Sequence, residues 1–160
     1  MKNLPYIFVT VGSTDFDSLT QAVDRLTLSI HGKGIMQIGH GKYKPVNLPY
    51  FRFAPSLDPY YKKATIAIAH GGLATTMEIL KKGLSLISVS NSDRYDNHQV
   101  DLLKTMESEG YLIWCRQLTS LQPSIETALN HELRRYRPPE CNIHIYINEY
   151  LNRKSKYNYA

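Results

Sequence analysis

Residues 65–83 read TIAIAHGGLATTMEILKKG, and a change of rhythm inside that stretch decides the fold. Thr65 to Ala69 alternates β-branched with small side chains, the composition of a buried strand. The run ends at His70-Gly71-Gly72, after which Leu73, Met77 and Leu80 recur at helical spacing until Gly83 stops them. A strand that turns through glycines directly into a helix is the repeating unit of a parallel sheet with crossover helices. The same unit recurs on both sides. Upstream, Tyr6 to Val11 reads as the first strand, Gly12-Ser13-Thr14 as its turn, and Leu19, Val23, Leu26 and Ile30 as a helix face. Ile35 to Gly39 predicts a second strand and Tyr50 to Phe53 a short third, with a polar loop containing Lys42, Lys44 and Pro45 between them. Asp58 to Lys63 predicts a short helix anchored by Tyr60 and Tyr61. Downstream come a strand from Leu84 to Val89, a polar loop from Asn91 to Asp96, and a helix from Asn97 to Glu109. That helix carries Val100, Leu103 and Met106 inward and ends at Gly110. Tyr111 to Cys115 predicts the sixth strand and Ser124 to Arg135 another helix, before Pro138-Pro139 breaks the chain. The expected fold is α/β, with a parallel sheet in a single domain.

Composition sets the outer bounds. At 160 residues with 42% apolar and 21% charged, the chain has room for one hydrophobic core and none for a second full domain. No apolar run approaches the roughly 20 residues of a membrane span. The opening MKNLPYIFVTVG lacks a small-residue cleavage site, so it is expected to be core strand and not signal peptide. Cys115 and Cys141 are the only cysteines and lack CxxC spacing, which disfavours zinc and disulfides and makes a reducing cytoplasm the default. His31, His40, His131 and His144 show no ligand spacing, so no metal is expected. The net charge of +5 is compatible with phosphorylated ligands or an anionic membrane face and identifies neither. Without a stacked-aromatic motif or a concentrated basic helix, nucleic acid is not an expected partner. Residues 1–137 are assigned to the domain and 138–160 to a tail. In the tail Ile143, Ile147 and Leu151, with Tyr146 and Tyr150 beside them, suggest an amphipathic helix, while the alternation of Ile143, Ile145 and Ile147 leaves a strand open.

Ligands of open α/β sheets bind beyond the carboxyl ends of the strands, and three loops there have unusual composition. VTVGSTDFD, Val9 to Asp17, has a glycine for close backbone approach and Ser13 and Thr14 as donors, which suits a phosphate; equally, the glycine is a turn and Asp15 or Asp17 a helix cap. AHGGLATTMEIL, Ala69 to Leu80, is more informative. The amides of Gly72, Leu73 and Ala74 are placed to hold a diphosphate at the positive end of a helix dipole, and Glu78, one turn on, to accept from both hydroxyls of a ribose. No GKS or GKT and no GxGxxG occurs. His70 is either a base or a hydrogen-bonded structural group, the second being the commoner fate of a histidine ending a buried strand. In the third loop, Asn91 to Asp101, Asp96, Asn97, His98 and Gln99 offer donors and acceptors suited to a hexose, or form a capping cluster.

These three loops, in this order and spacing, resemble the C-terminal, donor-binding half of the family 28 glycosyltransferases over about residues 5 to 115. The small-subunit branch is the most similar. It contains the donor-binding subunit of the two-component UDP-N-acetylglucosamine transferase and the PssE-like and CpsG-like subunits of exopolysaccharide and capsule synthesis. VTVGSTDFD is similar to the family's opening strand and loop, QIGHG at 37–41 to its second strand and glycine turn, AHGGLATTMEIL to its glycine pair followed by Glu, and DNHQ at 96–99 to its sugar-facing motif. The resemblance implies a Rossmann-like domain equivalent to the C-terminal half of a GT-B glycosyltransferase. It places Gly12, Ser13 and Thr14 near the diphosphate or interdomain cleft, and Phe53 and Ala54 beside uracil. Gly71, Gly72 and Thr75 would adjoin the phosphates, Glu78 the ribose, and His98 with Gln99 the transferred sugar, with His70 and Asn97 counted among the donor-binding residues. Two departures stand out: Ala64-Thr65 where the family often has Ala-Asp, and Leu73 where its glycine turn has small residues.

Carried to function, the resemblance implies the donor-binding catalytic subunit of an inverting transferase that moves a sugar from a UDP-sugar to a polyprenyl-linked acceptor. A membrane-associated partner subunit would supply the acceptor domain and the base, holding this chain at the cytoplasmic face. No cofactor or metal is implied, since helix N-termini can stabilise the departing diphosphate. The alternative is a non-enzymatic nucleotide-sugar-binding or scaffold subunit that enhances a partner transferase.

Overall fold

In a computed structural model, residues 5–30, 33–91 and 98–155 are described. Six strands form one parallel sheet: β1 (Tyr6–Thr10), β2 (Lys33–Gln37), β3 (Tyr50–Phe51), β4 (Ile66–His70), β5 (Ser85–Val89) and β6 (Ile113–Cys115), in the order β3-β2-β1-β4-β5-β6. The helices are α1 (Asp17–Ile30), α2 (Asp58–Lys63), α3 (Leu73–Lys81), α4 (His98–Ser108), α5 (Leu121–Asn130) and α6 (Ile143–Ser155), with a 3-10 turn at Leu118–Ser120. This is the doubly wound, Rossmann-like order, which reverses direction between β1 and β4.

The alternation in the central strands explains the layers. Ile7, Val9 and Val11, with Ile66, Ile68, Ile87 and Val89, pack one sheet face against Leu19 and Val23 of α1 and Leu121 and Ile125 of α5. Phe8, Ala67, Ala69 and Leu86 face the other way, onto Tyr61 of α2, Ile79 and Leu80 of α3, and Leu103 of α4. The register sets Phe8 opposite Ala67 on β4, so the large ring has a small neighbour on that side. It stacks on Tyr60 at 5.5 Å and meets Tyr61 edge-on at 5.3 Å, which is how the two tyrosines anchor α2. Burial of this kind contributes on the order of 25 cal/mol per Å2 of apolar surface. Because β1 leads to a helix on one face and β4 to a helix on the other, their carboxyl ends part and leave a crevice.

Several expected boundaries move. The second strand runs from Lys33 to Gln37 and not from Ile35 to Gly39, because Gly39 has φ +51° and leaves the ladder. The third ends at Phe51, the fourth reaches His70, and the sixth begins only at Ile113. The helix expected over Ser124–Arg135 starts at Leu121 and stops at Asn130; Pro123 falls in its first turn, where a missing N–H costs no helical bond. Two helix faces also differ. Leu73 is 62% exposed and α3 buries Thr76, Ile79 and Leu80 in place of the expected Leu73, Met77 and Leu80 stripe. Val100 points partly to solvent while Leu103 is buried. The described fourth helix starts at His98; residues 92–97, including Asn97, lie outside the described residues. Gly83 and Gly110 close α3 and α4 with φ +74° and +75°, and their N–H groups donate to Leu80 O and Glu107 O. The tail takes the helical alternative, as α6. Among the described residues no helix is long and apolar enough to cross a membrane.

Candidate functional site

The crevice between β1 and β4 is built around His70, the buried last residue of β4. Its ring lies between two glycines from different loops. A Cβ on Gly12 would sit 2.9 Å from His70 Cε1 and 3.5 Å from Thr75 Oγ1, and a Cβ on Gly72 would collide with His70 Nε2. Gly12 has φ +64°, a left-handed conformation that disfavours other residues. The turn that carries it is fixed from below: Thr10 Oγ1 donates to Gln37 Oε1 at 2.5 Å and accepts from the Gly12 N–H at 3.1 Å. Gly12, His70, Gly72 and Thr75 are thus brought into one cluster from two distant parts of the sequence.

Gly72 is also the residue that caps α3. Having no side chain, it leaves the helix without a side-chain cap, and the first bonded amide is that of Thr76, which donates to Gly72 O at 2.9 Å. The N–H groups of Leu73, Ala74 and Thr75 precede it, aimed out of the helix end, where an anion finds both hydrogen bonds and the positive pole of the dipole. Gly71 is held by its N–H donating to Val89 O at 3.0 Å. A Cβ there would sit 2.8 Å from Leu103 Cδ1 and 3.3 Å from Gln99 Oε1, so any side chain at this position would have to displace those of α4. Gln99 Oε1 in turn accepts from the Asn91 N–H at 3.4 Å, which joins the end of β5 to α4.

The remaining expected residues are arranged around this centre. Ser13 is exposed on its turn; Thr14 donates its hydroxyl to Val11 O at 2.8 Å and so shapes the turn. Phe53 projects beyond β3, about half exposed, edge-on to His40 at 5.0 Å, with Ala54 following half-buried. Glu78 is exposed on α3 beside the Tyr61 phenol. Burial raises that phenol's pKa, and the Glu78 carboxylate raises it further. The side chain of His98 lies outside the described residues.

The long loop from Gly39 to Pro49 is fastened by two acids of α1, Asp17, which the sequence suggests as a helix cap, and Asp24, which local pattern leaves unassigned. Asp17 does not cap its own helix; its carboxylate accepts from the Lys42 and Tyr43 N–H groups at 2.9 and 3.1 Å. Asp24 is fully buried and accepts from Val46, Asn47 and Leu48 N–H at 2.9, 2.9 and 3.0 Å, and from the Tyr43 hydroxyl at 2.8 Å. Desolvation pushes its pKa up, and these four donors outweigh it, leaving the group below the usual carboxylate value. Arg52 completes the loop by donating to Gly39 O and Gly41 O, both at 2.9 Å. The available signal was the spacing of Thr20, Asp24 and Thr27, one polar stripe on α1 that is buried throughout. The rim carrying His40 and Phe53 is therefore rigidly attached to α1.

A cavity of about 350 Å3 lies at the opposite edge, lined by Gly83, Tyr111, Arg135 and Tyr136 among others; it contains none of these loops and sits at the amino ends of the strands, where parallel sheets do not place ligands. Among the described residues no group of three or more His, Cys, Asp or Glu is placed to hold a metal ion. What the crevice can do is bind an anion through amides, and hold polar groups on either side of it, with Glu78 on α3 and Gln99 on α4.

Comparison with known proteins agrees with this geometry. The profile of the Glycosyltransferase family 28 C-terminal domain matches residues 6–151. The human UDP-N-acetylglucosamine transferase subunit ALG13 is 34% identical over 122 residues, which are 68% of this chain and 11% of that protein. The chain therefore spans about a tenth of the length of the curated relatives it matches. Among solved structures, the glycotransferase of kitacinnamycin superposes with a TM-score of 0.66 at 16% identity, covering 79% of this chain and 35% of that one. The solution structure of ALG13 gives 0.63 at 17% identity, covering 86% and 91%.

Proposed function

The chain belongs to the family defined by the glycosyltransferase family 28 C-terminal domain, and from that premise we propose that it is the donor-binding, catalytic subunit of a two-component inverting transferase. The donor is a UDP-sugar and the acceptor a polyprenyl-linked saccharide. The observation that carries this reading is the crevice itself: two glycines closed around His70, with three outward-facing amides at the head of α3 and Glu78 one turn further on. The diphosphate sits on the amides of Leu73, Ala74 and Thr75, the ribose hydroxyls donate to Glu78, and uracil lies toward Phe53 and Ala54. The transferred sugar extends toward Asn97, His98 and Gln99.

In this arrangement the chain stabilises the charge that develops on the departing diphosphate, by fixed amides that need no reorganisation during reaction. On this reading His70, enclosed by Gly12 and Gly72, is not the group that deprotonates the acceptor. The base and the acceptor site belong to a membrane-associated partner subunit, in keeping with the human relative's being a subunit of a UDP-N-acetylglucosamine transferase. The exposed apolar face of α6, with Ile143, Ile147 and Leu151, is the element assigned to docking on that partner, which holds the chain at the cytoplasmic face of the membrane. Exchange of Glu78 for Ala tests the reading: sugar transfer by the reconstituted pair should fall about 10- to 100-fold, the effect of losing charge-assisted bonds of roughly 1.5–3 kcal/mol, with the pair still assembling. Full transfer by an assembled pair carrying Glu78→Ala would favour a non-enzymatic scaffold subunit instead.

A further inference from the structure

Beside Glu78 lies a group that the donor reading leaves unused, the Tyr61 hydroxyl. Tyr61 is 2% exposed, its ring edge-on to Phe8 at 5.3 Å. The hydroxyl itself is fully covered, with no partner within hydrogen-bond distance among the described residues. A covered donor without a partner costs free energy, so the hydroxyl gains whenever an acceptor is drawn onto it. Helix packing says which acceptor is at hand. The Lys82 ammonium lies 2.5 Å from the Asp58 carboxylate, tying the C-cap of α3 to the first residue of α2. One turn forward from Asp58 is Tyr61, and one turn back from Lys82 is Glu78. Tyr61 also packs in one cluster with Ile79 and Leu80 of α3. The seam between the helices thus brings the phenol beside the Glu78 carboxylate, which after burial is the largest cause of the phenol's raised pKa. Asp58 also bears on the phenol, but its carboxylate is committed to Lys82. The same ion pair engages the lysine four residues after Glu78, the spacing at which a helix would otherwise pair the two.

Glu78 is exposed on α3, and an exposed glutamate turns among several rotamers, a freedom lost when a ligand fixes it. A carboxylate offers about four lone-pair sites, so two ribose hydroxyls and one phenol can share it. Packing already locks the phenol, so a bond from it selects one orientation of the carboxylate without ordering a second flexible group. We propose that Tyr61 is a positioning residue for the donor: with nucleotide bound, its hydroxyl donates to one oxygen of the Glu78 carboxylate and holds that group toward the ribose, so that the site selects a ribonucleotide over its 2′-deoxy counterpart. The inference rests on the donor reading, which supplies the ribose that Glu78 holds.

The test is calorimetric titration of the full chain with UDP and with 2′-deoxy-UDP, for the native protein, Tyr61→Phe, Glu78→Gln and the double variant. The native chain should bind UDP about tenfold or more tightly than 2′-deoxy-UDP, the effect of one charge-assisted bond. Tyr61→Phe should cut that preference at least about threefold by weakening UDP, and should change nothing further once Glu78 is Gln. Because Phe keeps the ring and removes only a hydroxyl without a partner, the urea-unfolding free energy of the free chain should not fall. A preference that Tyr61→Phe leaves intact, even if both nucleotides weaken together, overturns the assignment. So does a preference lost equally in the Glu78→Gln background, or a loss of stability in place of a loss of preference. If the native chain binds neither nucleotide or binds both equally, or if Glu78→Gln keeps the native preference, the ribose contact of the donor reading fails and takes this inference with it. A failure of Tyr61→Phe alone leaves that contact standing.

Discussion

Replacing Gly72 with alanine should damage this protein through one neighbour, and the structure says which. Gly72 has φ −71° and ψ 137°, which any residue adopts without strain, so the backbone does not resist the change. The three atoms nearest the added methyl all belong to His70: Nε2 first, then Cδ2 at 3.1 Å and Cε1 at 3.3 Å. The ring cannot simply swing away, because Gly12 already packs against its Cε1. Overpacking of this kind costs about 1–3 kcal/mol. A urea-unfolding cycle isolates the cause. Gly72→Ala should lower stability by about 2 kcal/mol in the native background and by close to zero in a His70→Ala background, a coupling of about 1–3 kcal/mol between contacting residues. UDP affinity should fall with Gly72→Ala, since the crowding falls on the residue that caps α3 and its amides. An equal cost of Gly72→Ala in both backgrounds would refute the claim that His70 fills the space between the glycines.

Asp24 makes stability depend on acid: its folded pKa lies below the unfolded value, so its contribution is complete above the unfolded pKa of about 3.9 and is lost as pH falls through the folded one. Asp24→Asn should cost about 2–4 kcal/mol near neutral pH and flatten the loss of urea midpoint below about pH 4; an unchanged acid slope contradicts the account. Glu78→Gln removes the carboxylate that helps burial hold the Tyr61 phenol proton, so ultraviolet titration should show that phenol ionising at lower pH than in the native chain. On α6, Ile147→Glu and Leu151→Glu alter exposed side chains and should leave the unfolding free energy within about 0.5 kcal/mol, while abolishing co-purification with the acceptor subunit; loss of stability would mean that α6 packs on the domain.

Local pattern made much of this fold legible. The runs at Tyr6–Val11, Thr65–Ala69 and Leu84–Val89 are strands within a residue of their expected ends, and Gly83 and Gly110 stop their helices as left-handed glycines should. What periodicity could not supply was the direction in which a helix presents its stripe. Leu73 fits the apolar spacing of α3, yet it occupies the first position after Gly72, at the lip of the crevice, where nothing of the sheet lies beneath it; Thr76 takes the buried place instead. Long-range contacts were equally hidden. Nothing in the local pattern marks Asp24, over which the loop 43–48, some twenty residues later, closes with three amides and a phenol. Around the candidate site, the glycines stood out in the sequence by composition. That Gly12 and Gly72 enclose the same histidine depends on β1 and β4 being neighbours, a pairing between segments more than fifty residues apart that no local window contains.

The most direct test of the central claim is the structure of the full chain grown with a UDP-sugar. The account predicts electron density for the diphosphate on the N–H groups of Leu73, Ala74 and Thr75, with the ribose hydroxyls within hydrogen-bond reach of the Glu78 carboxylate. Nucleotide bound at the amino edge, beside Arg135 and Tyr136, with the crevice around His70 empty, would contradict it.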